Sequence, residues 1–249
     1  MTFEPLKITA WMQTPVITDA WLPIDAIVYY HAMADQNGPQ IATMAGAHNA
    51  PTGDQQSYMP FRRCGLDWQS WRYADGAPLY CDHPAYRVRN RDVRWYYAAS
   101  FAQWGPHVDG MDHWNKRFDV AHADLIDFGT KRGNVIVEQG QYKAYHMPVY
   151  YRSALWVSWY VVGDREELHR LMPHITNLGK KAAQGWGAVL RWEIVPWPHD
   201  WSVYGPDGAV MRAVPAQDGI LTGFRPSYWL PKNQSHCLVP DSHSLKLEE

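Results

Sequence analysis

The chain has 249 residues, with 23 Lys and Arg against 25 Asp and Glu, so it is long enough for a substantial core but is no polycation. A formal charge of −2 counts against a protein that holds nucleic acid alone through bulk electrostatics, and leaves room for a local basic groove. Three widely spaced cysteines (Cys64, Cys81, Cys237) without a Cys-x-x-Cys pair argue against a disulfide scaffold and fit a reducing cytoplasm.

No apolar run is long enough to span a bilayer and no basic-then-apolar signal opens the chain, so a cytoplasmic protein that does not contact membrane is expected. A zinc site from Cys64, Cys81, His83 and a distant His lacks a close ligand pair to anchor it, so no metal or cofactor is expected. The aromatic set is unusual: 14 Trp and 15 Tyr against 6 Phe. Rings with a polar handle suit interfaces and base stacking as well as cores.

Leu6, Ile8, Ala10 and Met12 alternate with Lys7, Thr9 and Trp11, which predicts a strand over 6–12. Thr14-Pro-Val-Ile reads as an irregular link. A helix follows over 22–34, with Pro23 in its first turn and Leu22, Ala26, Tyr29, Tyr30 and Met33 on one face; Asn37-Gly38-Pro39 ends it. Residues 35 to about 90 are rich in Gly, Pro, Asn, Asp and Gln and read as a long insertion without its own core. Alternation at Val93, Trp95, Tyr97, Ala99 and Phe101 predicts a strand entered from Arg87, Arg89, Arg91 and Arg94, which could lie on phosphates or on solvent.

The stretch 103–128 reads as loop. Its His107, Asp109, Asp112, His113, His122, Asp124 and Asp127 are metal-ligand types but lack an i,i+4 His pair, so polar surface is the expectation. Val135 to Met147 predicts a hairpin turning near 138–141, and Arg152 to Val162 a buried strand. A short helix follows over 164–174: Asp164 can cap it, Glu166 and Glu167 suit its positive end, and Leu168, Leu171 and Met172 form an apolar stripe. Alternation of Ala188, Leu190, Trp192 and Ile194 with Val189, Arg191, Glu193 and Val195 predicts the strand 188–195. A further hairpin is expected between 201–204 and 209–214, and a polar, extended or loose tail from Pro231.

The connection from helix to last strand carries Gly179, Gly185 and Gly187, with Lys180 and Lys181 between them, and from Leu178 to Trp192 there is no acid. Glycines allow amides to turn outward toward an anion, so this is a candidate phosphate contact; the same features would also serve an ordinary connection. It matches neither the P-loop nor the Rossmann pattern.

Strand-helix-strand repeated gives the ferredoxin-like (RRM-like) order, an α+β fold with an antiparallel sheet, here with a long insertion and a C-terminal β extension. The expected layout is a domain over 1–195, interrupted by the insertion 35–150, and an extension over 196–249.

The block Trp159-Tyr-Val-Val-Gly-Asp, Leu171-Met-Pro-His-Ile-Thr-Asn-Leu-Gly-Lys-Lys-Ala-Ala-Gln-Gly-Trp-Gly-Ala-Val, together with Leu6-Lys-Ile-Thr-Ala and Thr14-Pro-Val, resembles the RAMP superfamily of CRISPR-associated proteins. Within it the chain is most similar to the small subunits of type IV effector complexes that cap the crRNA 5′ handle. The resemblance covers about 1–35 and 115–195.

It implies a non-catalytic, crRNA-binding subunit that abuts backbone and large subunits, with target DNA near the protospacer flank as a further partner left open. It also implies Gly179, Lys180, Lys181, Gln184, Gly185 and Gly187 as handle contacts. Lys116, Arg117 and Lys143 are added on charge and position, and Trp186 as a base-stacking ring. The alternative is a metal-independent endoribonuclease cutting repeat RNA with His31 as general base. An adaptor or small-molecule enzyme on the same scaffold is the third possibility.

Overall fold

The computed structural model describes residues 2–18, 21–37, 59–65, 95–119 and 143–241, together with 125–127, 129, 135, 136 and 138. In chain order these form β1 (Phe3–Met12), α1 (Ile24–Asn37), β2 (Arg63–Gly65), β3 (Trp95–Tyr97), β4 (Gln103–Trp104), β5 (His107–Lys116), β6 (Tyr145–Ala154), β7 (Trp156–Asp164), α2 (Arg165–Leu171), β8 (Val189–Pro196), β9 (Val214–Gly223) and β10 (Gln234–Leu238).

The main sheet is antiparallel, in the order β4-β7-β1-β8. β1 sits in its middle, with Ile8 opposite Trp159 on one side and Ile194 on the other. Leu6, Ile8 and Ala10 of β1 and Val157, Trp159 and Val161 of β7 share one face and are fully buried. α1 meets the same core through Ile24, Val28 and Ala32, spaced by four, and α2 through Leu168 and Leu171. Burying one such aliphatic side chain contributes roughly 1.5–3 kcal/mol. The Trp159 indole keeps its polar atom paired by donating to the Leu22 carbonyl at 2.9 Å. Asp164 caps α2 as expected: its side chain accepts from the Glu167 amide at 3.2 Å.

A smaller core, around Tyr96, Phe101, Ala213, Phe224 and Cys237, joins the C-terminal segment to the sheet. Arg212 is buried at its edge. Its guanidinium donates to the carbonyls of Tyr97, Ala99 (3.0 Å) and Phe224 (2.5 Å) and lies 3.5 Å from the buried Asp25 carboxylate of α1. The Tyr228 hydroxyl donates to Asp25 at 2.8 Å. Every buried charge in this clasp therefore has a partner, which burial requires.

Several expectations are corrected. The stretch at 103–128 is not all loop: His107–Lys116 is strand β5, paired in register with β6 from His107–Ala154 to Lys116–Tyr145. β5 shows no apolar alternation because most of its residues are exposed, so the pattern that marks a half-buried strand is missing. β6 finds its partner in β5, and Val135 and Ile136 are not strand. The predicted strand 152–162 is divided at Leu155: Arg152 to Ala154 end β6, and β7 begins at Trp156. The 201–214 hairpin is reduced to one bridge, Tyr204 to Val210, around a tight turn at Pro206–Gly208. The tail is not loose through 238, since β10 pairs with β9. Arg87, Arg89, Arg91, Arg94, Cys81 and His83 lie outside the described residues.

Candidate nucleic-acid interface

The connection between α2 and β8 is braced from behind by residues 13–17, which follow β1. The Lys180 amide donates to the Ile17 carbonyl at 2.7 Å, and the Gly187 amide to Pro15 at 2.8 Å. Thr14 works twice: its hydroxyl donates to the Gly185 carbonyl and accepts from the Ala188 amide, both at 2.8 Å. The Thr14-Pro-Val-Ile link is thus the frame of the loop. Gly179 and Gly187 have positive φ and lie against the carbonyls of Ile17 and Leu178, where any Cβ would clash. Gly185, also at positive φ, faces open space.

The amides of Lys180, Gln184, Gly185, Gly187 and Ala188 are thus all used inside the protein. This narrows the expectation of a backbone anion cradle: side chains are what these positions present outward. Lys180 and Gln184 are exposed, and Lys181 and Trp186 half-buried. Lys181 stands in the left-handed region at φ 66°, a conformation that costs a non-glycine residue roughly 1–2 kcal/mol.

The β5–β6 ribbon lies across this loop. Side chains alternate along a strand, so Gly110, Asp112, Trp114 and Lys116 share the face that meets it. The Tyr151 ring crosses over Gly110 and packs on Trp186, with centroids 5.3 Å apart. The Lys181 ammonium sits over the Trp114 indole, 2.8 Å from the ring centre. Between loop and ribbon is a cleft of about 50 Å³ lined by Ile17, Asp112, His113, Trp114, Val149, Lys181, Gln184 and Trp186.

Of the residues singled out in the sequence, Lys181, Gln184 and Trp186 line this cleft, with Gly179, Lys180, Gly185 and Gly187 in the same braced loop. Lys116 lies two residues beyond Trp114, roughly 7 Å further along the same face, with its ammonium over Tyr145 at 5.8 Å. Arg117 and Lys143 are exposed just past the ends of β5 and before β6. Trp114, Asp112 and Tyr151 complete the cleft and were not singled out as binding residues. β5 carries no apolar alternation that could have marked them.

The other polar residues of 103–128 have local partners. Arg152 holds Asp109 through two bonds, of 2.6 and 2.8 Å. His107 Nδ1 lies 2.8 Å from the Gly105 carbonyl, and Asp127 accepts from the Gly129 amide at 2.7 Å. His113 stacks on His146 at 4.1 Å. His122 and Asp124 lie outside the described residues. Among the described residues no group of three or more His, Cys, Asp or Glu is placed to hold a metal ion. No described helix is long and apolar enough to cross a membrane.

His31 lies on α1, half-buried, with its ring edge-on to Tyr30 at 5.3 Å. Burial, with a smaller contribution from nearby His174, lowers its pKa below that of an ordinary imidazole.

The search of curated proteins found no match. A family model does match, that of the CRISPR type IV associated protein Csf3, over residues 4–240. The match runs through the middle of the chain and past residue 196, the two stretches where the sequence alone offered no resemblance. With nearly its whole length matched, the chain belongs to the Csf3 family of CRISPR type IV associated proteins.

Proposed function

We propose that the chain is a non-catalytic subunit of a type IV CRISPR effector complex that grips the 5′ handle of the crRNA with its glycine-rich loop. The fold reading that goes with this is ferredoxin-like: β4-β7-β1-β8 with one helix after β1 and another after β7. The observation that carries the proposal is the braced loop itself. Its backbone is fixed by internal bonds, while Lys181, Gln184 and Trp186 face a ribbon that adds Trp114 and Lys116, with Lys180 exposed beside them. Cations for phosphates beside rings for bases are what single-stranded RNA requires. A near-neutral chain fits a subunit that shares its RNA with other proteins. Exposed apolar residues of the C-terminal ribbon, Ile220, Leu221 and Trp229, suit contacts with neighbouring subunits.

The endoribonuclease reading would place His31 over the RNA. Its neighbours in the fold are Tyr30 and His174.

The test is binding of labelled crRNA with and without its handle, over a salt series, with the same samples run on a urea gel. Handle-dependent binding of intact RNA is expected. In Lys180→Ala/Lys181→Ala the slope of log K against log salt should fall by roughly 1.4, at about 0.7 per lost phosphate contact on a single strand. Absence of binding, even with the other subunits of the complex, would overturn the proposal. Cut RNA that stays whole with His31→Ala would establish the nuclease instead.

A further inference from the structure

Phosphate binding leaves one residue of the cleft unexplained. Asp112 lines it beside Lys181, and a carboxylate repels a phosphate backbone. Asp112 is exposed, and its Oδ1 accepts from the His113 amide at 2.7 Å. A carboxylate has about four acceptor sites, so both oxygens can take further donors. Around it are Ile17 and Val149, the Trp114 indole with the Lys181 ammonium over it and the Tyr145 ring packed against it at 4.8 Å, and Trp186 held against Tyr151. At about 50 Å³ the cleft as it stands is smaller than the roughly 150 Å³ that encloses a benzene ring, so a base enters only where the Lys181 side chain gives way. With that side chain turned aside, flat rings and a single anionic acceptor at the rim suit a nucleobase, not a sugar or a phosphate.

The acceptor also selects among the bases. Guanine presents two adjacent donors, N1–H and the N2 amino group, in the spacing of the two carboxylate oxygens. Adenine and cytosine set one amino group beside a ring nitrogen that a carboxylate opposes, and uracil flanks its single N–H with two carbonyls. Building on the RNA-binding reading above, we propose that this cleft takes one unstacked guanine, with Trp114 as its stacking partner and Asp112 as the residue that selects it. Lys181, held in its left-handed conformation, covers the Trp114 face in the absence of RNA. When the base arrives it takes that place, and the ammonium turns to the phosphate of the same nucleotide. The pair thus works as an exchangeable lid on the ring.

The test uses the full chain, alone and with the other subunits of the complex. The probes are labelled single-stranded RNAs of uniform uridine carrying one G, A, C or inosine. Inosine lacks the N2 amino group. Wild type should favour the G-containing RNA by about tenfold over A or C, with inosine between. Asp112→Asn should remove most of that preference and, because it takes away a charge that repels phosphates, bind the uridine RNA at least as tightly as wild type does. Trp114→Ala should weaken the G-containing RNA most. Binding without base preference, or a preference that Asp112→Asn does not move, would overturn the guanine site and leave handle binding intact. No binding of any RNA would overturn both. Asp112 is exposed, so its variant tests the idea even if Trp114→Ala fails to fold.

Discussion

Two cation–aromatic clusters in this protein look alike in composition and differ in every physical respect. Arg212 is fully buried; it meets four carbonyls, one carboxylate and the Tyr96 ring, 4.9 Å from its guanidinium carbon. Lys181 is half-exposed, strained, and set over the single ring of Trp114. A buried charge without partners is costly, so the first cluster is complete and fastens the C-terminal segment to α1. A charge at the rim of an open cleft has water as an alternative, so the second can exchange its partner. The first holds the fold together, and the second is built to meet something else.

The sharpest way to break this contrast is to remove each cation in turn. Arg212→Met takes the only cation from the buried Asp25 carboxylate among the described residues, leaving it the Tyr228 hydroxyl, and removes a donor from each carbonyl of the clasp; it should lower unfolding stability by roughly 3–5 kcal/mol. Lys181→Met should change it by about 1 kcal/mol or less, the range of an exposed cation–π contact. Urea denaturation of both variants is the measurement, and equal losses would erase the distinction.

The next effect lies within the loop. Gly187→Ala puts a methyl group against the Leu178 carbonyl and should cost more than the roughly 1–2 kcal/mol of left-handed backbone alone. Gly185→Ala meets open space and should cost only that. If thermal unfolding shows the two to be equal, the Leu178 carbonyl gives way more easily than its close approach to Gly187 implies.

The smallest effect concerns His31, half-buried like Lys181 but on α1. Its pKa is lowered in the folded state, so as pH falls below the ordinary value of 6.5 the unfolded chain takes up the proton first. Stability from this group is present above that value and lost as pH falls toward the lowered pKa. The melting temperature should therefore decline less steeply between about pH 7.5 and 5.5 in His31→Gln than in wild type. Parallel curves would mean that His31 titrates as if exposed.

What could be read from the sequence follows from burial. β1, β7, α2 and β8 each press an apolar face on the core, and that periodicity is written in the residues. α1 was legible as a helix but not in its face: Ile24, Val28 and Ala32 are buried, while Tyr30, expected on the inner side, is exposed. β8 is the weakest of the four: it lies at the sheet edge, and Leu190, on its nominally apolar face, is 66% exposed. β5 left no such trace because it is solvated along most of its length. The glycine-rich loop was visible through its glycines and lysines. Its opposite wall was not, because Asp112 and Trp114 come from a strand some seventy residues earlier, and only the pairing of β5 with β6 brings them over the loop. The Arg212 clasp joins residues 25, 97, 212, 224 and 228, which no local pattern connects.

The central place of β1 in the main sheet also has a consequence on the ribosome. Its partners are β7 and β8, beginning at Trp156 and Val189, so the first strand made is among the last to be paired. At a synthesis rate of about 5–20 residues per second, β1 waits on the order of ten seconds or more with both edges open. A strand carrying Leu6, Ile8, Ala10 and Trp11 is a ready template for the wrong neighbour during that time. Yield of native protein should therefore depend on how well nascent chains are shielded, through chaperones or slower initiation, as well as on the stability of the finished fold.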